Sequence, residues 1–384
     1  SSAASSLKWL AAHQMPDGGW SFDHGKAPAC KGQCRDPGRR TDARIAATSL
    51  ALLPYLGAGQ THEAGRYKQT VKRGLHFLVK QMKADPEAGR LVDKDGSTDT
   101  QALGALVLCE AYAMTHDRWL SRPAQQALDY LATMQDPKTG GWPPAPGEPP
   151  STTATAWAVL ALKSGHLFYL RVSPEVVKKA LRFLDTVQSD GGAFYGETKP
   201  GKDPRATAAG LLCRMYLGWM KDNPALARGI KYVGQLGPSK TDVVYNYFAT
   251  QAIRQWEGPE WVQWNRQMRD ALVKFQVTEG HEAGSWAPGA GLENKEGGRL
   301  FQTALSAMIL EVYYRHLPIY RNAAVEEDLP DGNVANLQIV VGGDPFAEGP
   351  ATEPEPETPD FNTESYDLIY ENPFLATGRN PLST

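Results

Sequence analysis

The sequence lacks the features that mark membrane-spanning and nucleic-acid-binding proteins. No apolar run approaches the roughly 20 residues of a membrane span, and the longest one covers only residues 102–109. The 40 Lys and Arg residues against 43 Asp and Glu give a net charge of −3, which offers no electrostatic reason to expect a nucleic-acid partner. We therefore expect no nucleic acid, and membrane association only through segments outside this sequence.

Cysteine is scarce, and its four copies do not form the framework of a small disulfide-rich domain. Cys109 and Cys213 lie inside apolar helical patterns and are predicted core residues. Cys30 and Cys34 share a Gly- and Pro-rich loop with His24. Three states are open for this pair: a local disulfide, which we favour if the protein is exported, two free thiols, or a weakly indicated metal site with His24. The sequence gives no reason to expect a cofactor.

The sequence does contain a repeat. In each copy an amphipathic helix ends near a Gln, and a Gly-rich turn with an aromatic residue follows. Four copies have both parts: Gln14 with Gly18-Gly19-Trp20, Gln135 with Gly140-Gly141-Trp142, Gln188 with Gly191-Gly192-Ala193-Phe194, and Gln276 with Gly284-Ser285-Trp286. Two more copies, ending at Gln81 and Gln235, keep the helix and lack the aromatic turn. A period of roughly 40–65 residues is close to that of helical repeats.

A second helix of different character follows each of these phrases. Residues 67–83 carry one apolar stripe, whereas residues 100–114 are apolar nearly all round. The same contrast separates 122–135 from 155–162 and 174–188 from 206–220. Amphipathic helices that alternate with helices apolar all round fit two concentric layers, with the amphipathic helices outside and the others inside. Six such pairs are enough to close a ring. We predict an all-α (α/α)6 toroid over residues 1–322, with an open superhelical solenoid as the alternative.

The composition changes from about residue 323 onwards. Residues 325–328 are mostly acidic, and residues 346–360 are mostly Glu, Pro, Thr and Gly. Such a segment lacks the apolar content that offsets ordering entropy, so residues 323–361 are a predicted linker. Residues 362–384 are predicted to begin a further region.

Two resemblances follow from these residues. The Gln and Gly-x-Trp pattern of residues 1–320 resembles the repeat of squalene and oxidosqualene cyclases and of protein prenyltransferase β subunits. It implies the toroid fold, with the Gln and aromatic residues tying one helix pair to the next. Residues 361–384 resemble the segment that leads into the von Willebrand factor type A domain of bacterial cell-envelope proteins, through Glu371-Asn372-Pro373-Phe374 and Asn380-Pro381-Leu382-Ser383-Thr384. That resemblance implies a longer protein in an extracytoplasmic or periplasmic location.

The residues that carry the chemistry of the cyclase family are missing from this sequence. Class II cyclases use an Asp-x-Asp-Asp acid, and the nearest pattern here is Asp93-Lys94-Asp95 with Asp99. Prenyltransferases hold zinc with Asp, Cys and His, yet neither Cys109 nor Cys213 has an Asp two residues before it. The Gly-Cys-Gly-Glu-Gln of thioester toroids is also absent. This departure puts the family's activity in doubt.

Polar residues begin the inner helices, and a toroid would gather them at one mouth of its central cavity. Helix N-termini can hold an anion such as a diphosphate, although ordinary N-cap preference also predicts Asp, Ser and Thr there. The candidate ligand-binding residues are Asp42, Asp99, Thr152, Arg205, Asp242 and Gln302. Asp95 and Asp99 are weak catalytic candidates. The acidic set Asp93, Asp95 and Asp99 could share a proton or hold Mg²⁺, against the simpler interpretation of a solvated turn.

Our leading hypothesis is a non-catalytic module of a bacterial cell-envelope protein that binds a protein, a glycan or a hydrophobic ligand. The alternative is an enzyme that acts on a polyprenyl substrate through Asp95 or Asp99. The shape of the central cavity discriminates between them. A deep apolar cavity with acids at its mouth favours catalysis, whereas a cavity filled with side chains favours binding at the surface.

Overall fold

The computed structural model of the protein describes residues 1–312, and this part contains twelve α-helices. The odd-numbered helices are α1 (Ser2–Ala12), α3 (Lys68–Ala84), α5 (Arg118–Thr133), α7 (Pro174–Val187), α9 (Pro224–Leu236) and α11 (Glu260–Phe275). The even-numbered helices are α2 (Arg44–Gly57), α4 (Thr98–Thr115), α6 (Thr152–Leu167), α8 (Pro204–Tyr216), α10 (Val243–Trp256) and α12 (Leu292–Glu311). A two-stranded antiparallel hairpin, β1 (Gln188–Ser189) and β2 (Phe194–Tyr195), lies between α7 and α8.

The even-numbered helices form a closed inner ring. Helix α2 packs on α4, and contacts continue through α6, α8 and α10 to α12, which packs back on α2. The odd-numbered helices pack outside this ring against their sequence neighbours, and α1 packs on both α12 and α2. The described residues therefore form a double-layered α/α toroid, as the sequence predicts, and the ring is closed. The predicted boundary after residue 322, the linker 323–361 and the region 362–384 lie outside the described residues.

The burial of each helix explains which layer it occupies. In α3 the buried stripe includes Val71, Leu75, Leu78 and Met82, so the other face, rich in Lys, remains in water. In α4 nearly every residue from Thr98 to Ala111 is buried, because this helix has neighbours on both sides in the ring and an outer helix behind it. None of the helices in residues 1–312 combines the length and apolar character of a membrane span.

Three helices differ from the sequence prediction by four or more residues at one end, and one of them, α5, begins at Arg118 and not at residue 122. Helix α8 ends at Tyr216 and not near residue 220, because Gly218 has a φ of 111°, which a right-handed helix does not accommodate. Helix α6 runs from Thr152 to Leu167 and is longer than the predicted 155–162.

The tryptophans of the Gly-rich turns attach each outer helix to the inner helix that follows it. Their indole N–H groups donate to leucine carbonyls of the preceding outer helix at 2.8 Å, with Trp20 on Leu10, Trp142 on Leu131 and Trp286 on Leu272. Their backbone N–H groups donate to threonine hydroxyls of the next inner helix, which are those of Thr48, Thr155 and Thr303. Each buried tryptophan thus forms hydrogen bonds with the outer helix before it and with the inner helix after it.

The repeated glutamines attach each helix pair to the next one. The side-chain amide of Gln135 donates to the carbonyl of Gly140 in its own turn and to that of Val176 in the next outer helix, at 2.8 and 2.9 Å. Gln14 and Gln276 donate in the same way, with Thr70 and Ser2 as their acceptors in the next outer helix. This is the structural role that the family resemblance implies.

The second repeat, which lacks the aromatic turn, keeps this attachment with other residues. Gly89 has a φ of 85°, and the buried Leu91 follows it where the other turns carry an aromatic residue. Gln101, on the inner helix α4, donates to the carbonyls of Gly89 and Ala127 at 2.9 and 3.0 Å. An amide from the inner helix therefore replaces the amide that Gln81 does not supply.

Candidate functional site

The N-termini of the inner helices lie at one face of the toroid, which we call the mouth. The charged side chains that gather there are Arg40, Asp95, Asp99, Glu197, Arg205, Asp242 and Glu293. The sequence predicted four of them. It missed Arg40, Glu197 and Glu293, which lie before α2, in the loop between α7 and α8, and at the start of α12, where no pattern distinguishes them from other surface residues.

Arg205 and Asp242 were predicted as separate candidates, and the structure pairs them. The Nε of Arg205 donates to the Asp242 carboxylate at 2.8 Å, and its Nη1 donates to Glu293 at 2.6 Å. Burial alone would lower the pKa of the Arg205 guanidinium, but these two carboxylates hold it above its usual value. Asp242 also caps α10 by accepting from the N–H of Tyr245 at 2.8 Å. Its carboxylate therefore accepts hydrogen bonds from both Arg205 and Tyr245.

Asp99 differs from the other acidic residues of the mouth. It is half-buried, and its Oδ1 is enclosed without a hydrogen-bond partner. Burial, reinforced by repulsion from Glu293 and Glu197, raises the pKa of this carboxyl from the ordinary 3.8 to about 7, and the attraction of Arg205 and Arg40 only partly opposes the shift. A carboxyl of this kind keeps its proton up to about neutral pH, and in the protonated form it can donate a hydrogen bond.

The other predicted acids separate into different environments. Asp95 forms an ion pair with Arg40 at the surface, and Asp42 is exposed with Lys94 at 3.8 Å. Asp93 lies beneath the surface and caps α2, where its carboxylate accepts from the N–H groups of Ile45 and Ala46 at 2.9 and 3.0 Å. The structure therefore does not gather Asp93, Asp95 and Asp99 into one proton-sharing or Mg²⁺-binding set.

Two candidate ligand-binding residues already use their polar side chains in hydrogen bonds within the protein. Thr152 is fully buried, and its hydroxyl donates to the carbonyl of Gly196 at 2.6 Å. Gln302 lies inside α12, and its amide donates to the hydroxyl of Ser306 at 3.2 Å. Neither side chain contributes to the charged group at the mouth.

Aromatic side chains occupy the bore of the ring. Trp157 of α6 stacks on Tyr247 of α10 with ring centroids 5.2 Å apart, and it lies 4.8 Å from the ring of Phe248. Helices α6 and α10 are both neighbours of α8, so a contact between them crosses the bore in front of α8. All three rings are buried. At this level the bore is packed with side chains and is not an open channel.

A second group of polar side chains lies where the first and last repeats meet. Cys30 and Cys34 are free thiols, and the structure brings them together with His13 at the end of α1 and with His281 before α12. One ligand atom from each of these four residues lies within 4.8 Å of the others. His24, which the sequence grouped with the cysteines, lies beside His13 with ring centroids 5.4 Å apart and is not one of the four.

The sequence did not indicate His13 and His281, because they lie at opposite ends of the toroid in the chain. The only available signal was the ring itself, since a closed toroid makes its first and last repeats neighbours. Burial lowers the pKa of His13 to about 4 and raises the pKa of the Cys34 thiol to about 11. The His13 imidazole and the Cys34 thiol are therefore both neutral near pH 7.

Ion pairs hold the cysteine loop against the last repeat. Arg35 donates to Glu282 through its backbone N–H at 2.7 Å and through its guanidinium at 3.1 Å. The buried Arg299 bridges Glu282 and Asp36 at 3.2 and 2.7 Å. Hydrogen bonds from Arg35 lower the pKa of the Glu282 carboxyl to about 2, so this carboxylate is charged at neutral pH.

Comparison with known proteins shows the fold alone. No family model and no curated protein matches the chain. Among solved structures, an α-1,6-mannanase of glycoside hydrolase family 76 from Salegentibacter is 9% identical, covers 81% of this chain and 97% of its own, and has a TM-score of 0.57. The type II terpene cyclase MstE from Scytonema is 14% identical, covers 82% and 98%, and has a TM-score of 0.54. A D-mannose isomerase is 12% identical, covers 81% and 95%, and has a TM-score of 0.54.

The mannanase and the cyclase belong to the (α/α)6 toroid superfamily, which agrees with the fold that the repeat predicts. The three named activities differ from one another, so the shared architecture does not select one of them for this chain.

Proposed function

We propose that the toroid is a non-catalytic binding module that holds a hydroxyl-rich ligand, such as a glycan, at its mouth. The observation that carries the proposal is the buried stack of Trp157 on Tyr247 and Phe248, which occupies the bore in front of α8. A polyprenyl chain needs a deep apolar cavity. With the bore packed, the ligand is left with the polar surface above it.

The charges of the mouth favour a neutral ligand over an anionic one. The carboxylates there outnumber the two guanidiniums, and Arg205 is already paired with Asp242 and Glu293. A diphosphate would therefore meet repulsion, despite the favourable dipoles of the helix N-termini. Sugar hydroxyls both donate and accept hydrogen bonds, so they can bridge carboxylates and guanidiniums in the same site. Asp99 lies among these groups and is half-buried, so the accessible part of its carboxyl is the expected centre of these contacts.

We assign the module to a bacterial cell-envelope protein located outside the cytoplasm. This part of the proposal rests on the resemblance of residues 361–384 to the segment that precedes a von Willebrand factor type A domain. A surface-facing glycan site is consistent with that location.

The binding proposal is tested with a panel of neutral oligosaccharides that includes α-1,6-mannotriose, by saturation-transfer NMR and calorimetry. At least one sugar should bind, and Asp99→Ala and Arg205→Met should weaken that binding by roughly tenfold or more, as expected when a buried polar contact is lost. Asp222→Asn, an exposed change between α8 and α9 at the opposite face, is the matched control and should bind normally. Absence of binding to every sugar, or equal binding by all three variants, would contradict the proposal.

One observation favours a second candidate function, an enzyme that uses Asp99 as a general acid. A carboxyl with a pKa of about 7 matches the requirement of proton transfer near neutral pH. The reaction class then comes from fold-level analogy, with a polyprenyl substrate as the first choice. Squalene, prenyl diphosphates and the same oligosaccharides are incubated with the chain, and products are sought by mass spectrometry. Turnover that Asp99→Ala abolishes would establish the enzyme and refute the non-catalytic module; absence of product would refute the enzyme.

A further inference from the structure

We propose that His13, Cys30, Cys34 and His281 form a structural zinc site that joins the first repeat of the toroid to the last. The inference is independent of the proposed ligand at the mouth. It rests on the positions of the four ligand atoms, on the hydrogen bonds of the two imidazoles, and on the packing of the loop that carries the cysteines.

The spacing of the four atoms fits a tetrahedral zinc ion. Bonds of about 2.3 Å to sulfur and about 2.0 Å to nitrogen place the ligand atoms roughly 3.5 Å apart. The Sγ of Cys34 lies 3.4 Å from Nε2 of His13 and 3.2 Å from Nδ1 of His281. All four ligand atoms lie within 4.8 Å of one another, so small side-chain adjustments bring them around one ion.

Both imidazoles are oriented as metal ligands usually are. The Nδ1 of His13 lies 2.6 Å from the carbonyl oxygen of Trp9, and the Nε2 of His281 lies 3.1 Å from that of Ala29. A carbonyl oxygen only accepts, so each of these nitrogens carries the proton. In the neutral form of each ring the opposite nitrogen is then unprotonated, and in both rings it is the one that faces Cys34. Such hydrogen bonds fix the tautomer and the direction of a metal-bound histidine.

The surrounding structure holds the four residues in place. His13, Cys30 and Cys34 are buried, with exposed fractions of 0%, 0% and 5%. The network of Arg35, Glu282 and Arg299 fixes the cysteine loop against the last repeat. Two thiolates and two imidazoles are a donor set that favours zinc over the oxygen-seeking Ca²⁺ and Mg²⁺. Four protein ligands leave no open position, which is typical of structural and not of catalytic zinc.

The site would lie where the first and last repeats of the toroid meet. His13 and the cysteines belong to the first repeat, whereas His281 belongs to the last. One ion bound by all four thus joins segments separated by most of the toroid. Because an unfolded chain does not present these ligands together, the metal stabilises the folded state alone.

The test is the metal content of the full-length chain, purified from zinc-supplemented cells without a metal-binding tag. Elemental mass spectrometry should find stoichiometric zinc in the wild-type protein. Cys34→Ser and His281→Ala should each lower the zinc per chain by roughly tenfold or more. Two matched controls should keep it: Cys213→Ala removes a buried thiol outside the site, and His24→Ala removes the histidine that lies beside it.

The wild-type chain supplies a readout that does not depend on the folding of any variant. Cobalt added after chelation should give the thiolate charge-transfer absorption and the visible bands of a tetrahedral ion, and removal of zinc should accelerate proteolysis of residues 24–40. The proposal is overturned if the wild-type chain binds neither metal, if mass spectrometry finds a Cys30–Cys34 disulfide, or if zinc survives in Cys34→Ser and His281→Ala.

Discussion

Gln276, which follows the last outer helix, donates a hydrogen bond of 2.8 Å to the backbone carbonyl of Ser2 at the start of the first outer helix. Gln14 makes the same contact with Thr70, and Gln135 makes it with Val176. The junction between the ends of the toroid is therefore built from the contact that joins successive repeats elsewhere.

Replacement of one linking glutamine should destabilise the toroid. In Gln135→Ala the carbonyls of Gly140 and Val176 lose their common donor, and we expect the free energy of unfolding in urea to fall by about 1–3 kcal/mol. Gln235 occupies the equivalent place in a repeat without the turn and is exposed. Gln235→Ala should change stability by less than about 0.5 kcal/mol. Equal losses in the two variants would show that these hydrogen bonds contribute little.

Two glycines with nearly the same φ allow the cost of a steric clash to be measured apart from the cost of a left-handed backbone. Gly140 has a φ of 86°, and a Cβ there would lie 2.1 Å from the carbonyl oxygen of Lys179. Gly147 has a φ of 85° and nothing within 4 Å of that position. Gly147→Ala should cost about 1 kcal/mol from the left-handed backbone alone, and Gly140→Ala should cost about 2 kcal/mol more because α7 must move. Thermal unfolding of both variants checks the difference, and similar losses would contradict the close approach.

The pKa of Asp99 predicts how stability depends on pH. A carboxyl whose pKa rises from 3.8 to about 7 on folding contributes stability that is complete below pH 4 and is lost as the pH rises through about 7. Asn resembles the protonated acid, so Asp99→Asn should be more stable than wild type at pH 8, by about 1–3 kcal/mol. The advantage should vanish near pH 4. Urea titrations across this range measure it, and a pH-independent difference would show that Asp99 titrates normally.

Removal of the central tryptophan should open the bore. Trp157→Ala should lower the free energy of unfolding by about 3–5 kcal/mol, as loss of a buried aromatic side chain does. The space in front of Tyr247 and Phe248 should then admit a small apolar molecule such as benzene, detected by NMR. Phe275→Ala, at a residue that is 68% exposed, is the control. It should neither lower the free energy of unfolding by this amount nor bind the apolar molecule. A variant as stable as wild type would show that the bore is not packed there.

The alternation of wet and buried helices was sufficient to predict the layers of the toroid. Apolar periodicity reports how many sides of a helix are covered, and residues 67–83 and 100–114 differ clearly in this respect. The ends of the helices were harder to predict, because the end of α8 depends on the backbone at Gly218. The sequence shows that the second repeat lacks the aromatic turn, but it does not show that Gln101 supplies the equivalent amide from a position outside the repeated phrase.

The candidate sites depended on contacts that no local pattern contains. Asp99 and Arg205 were found because they begin inner helices, whereas Glu197 and Glu293, which raise the pKa of Asp99, come from other repeats. For the same reason Cys30 and Cys34 were grouped with the nearby His24, although His281 lies closer in space to Cys34.

The packing of α12 on α2, and of α1 on α12, means that no repeat of the toroid is terminal. An open stack of helix pairs exposes an apolar face at each end and can fray inward from there, one repeat at a time. In this ring every helix pair has a neighbour on both sides, so the loss of any pair uncovers two interfaces at once. Unfolding therefore has no end from which to start, and the described repeats should melt as one cooperative unit.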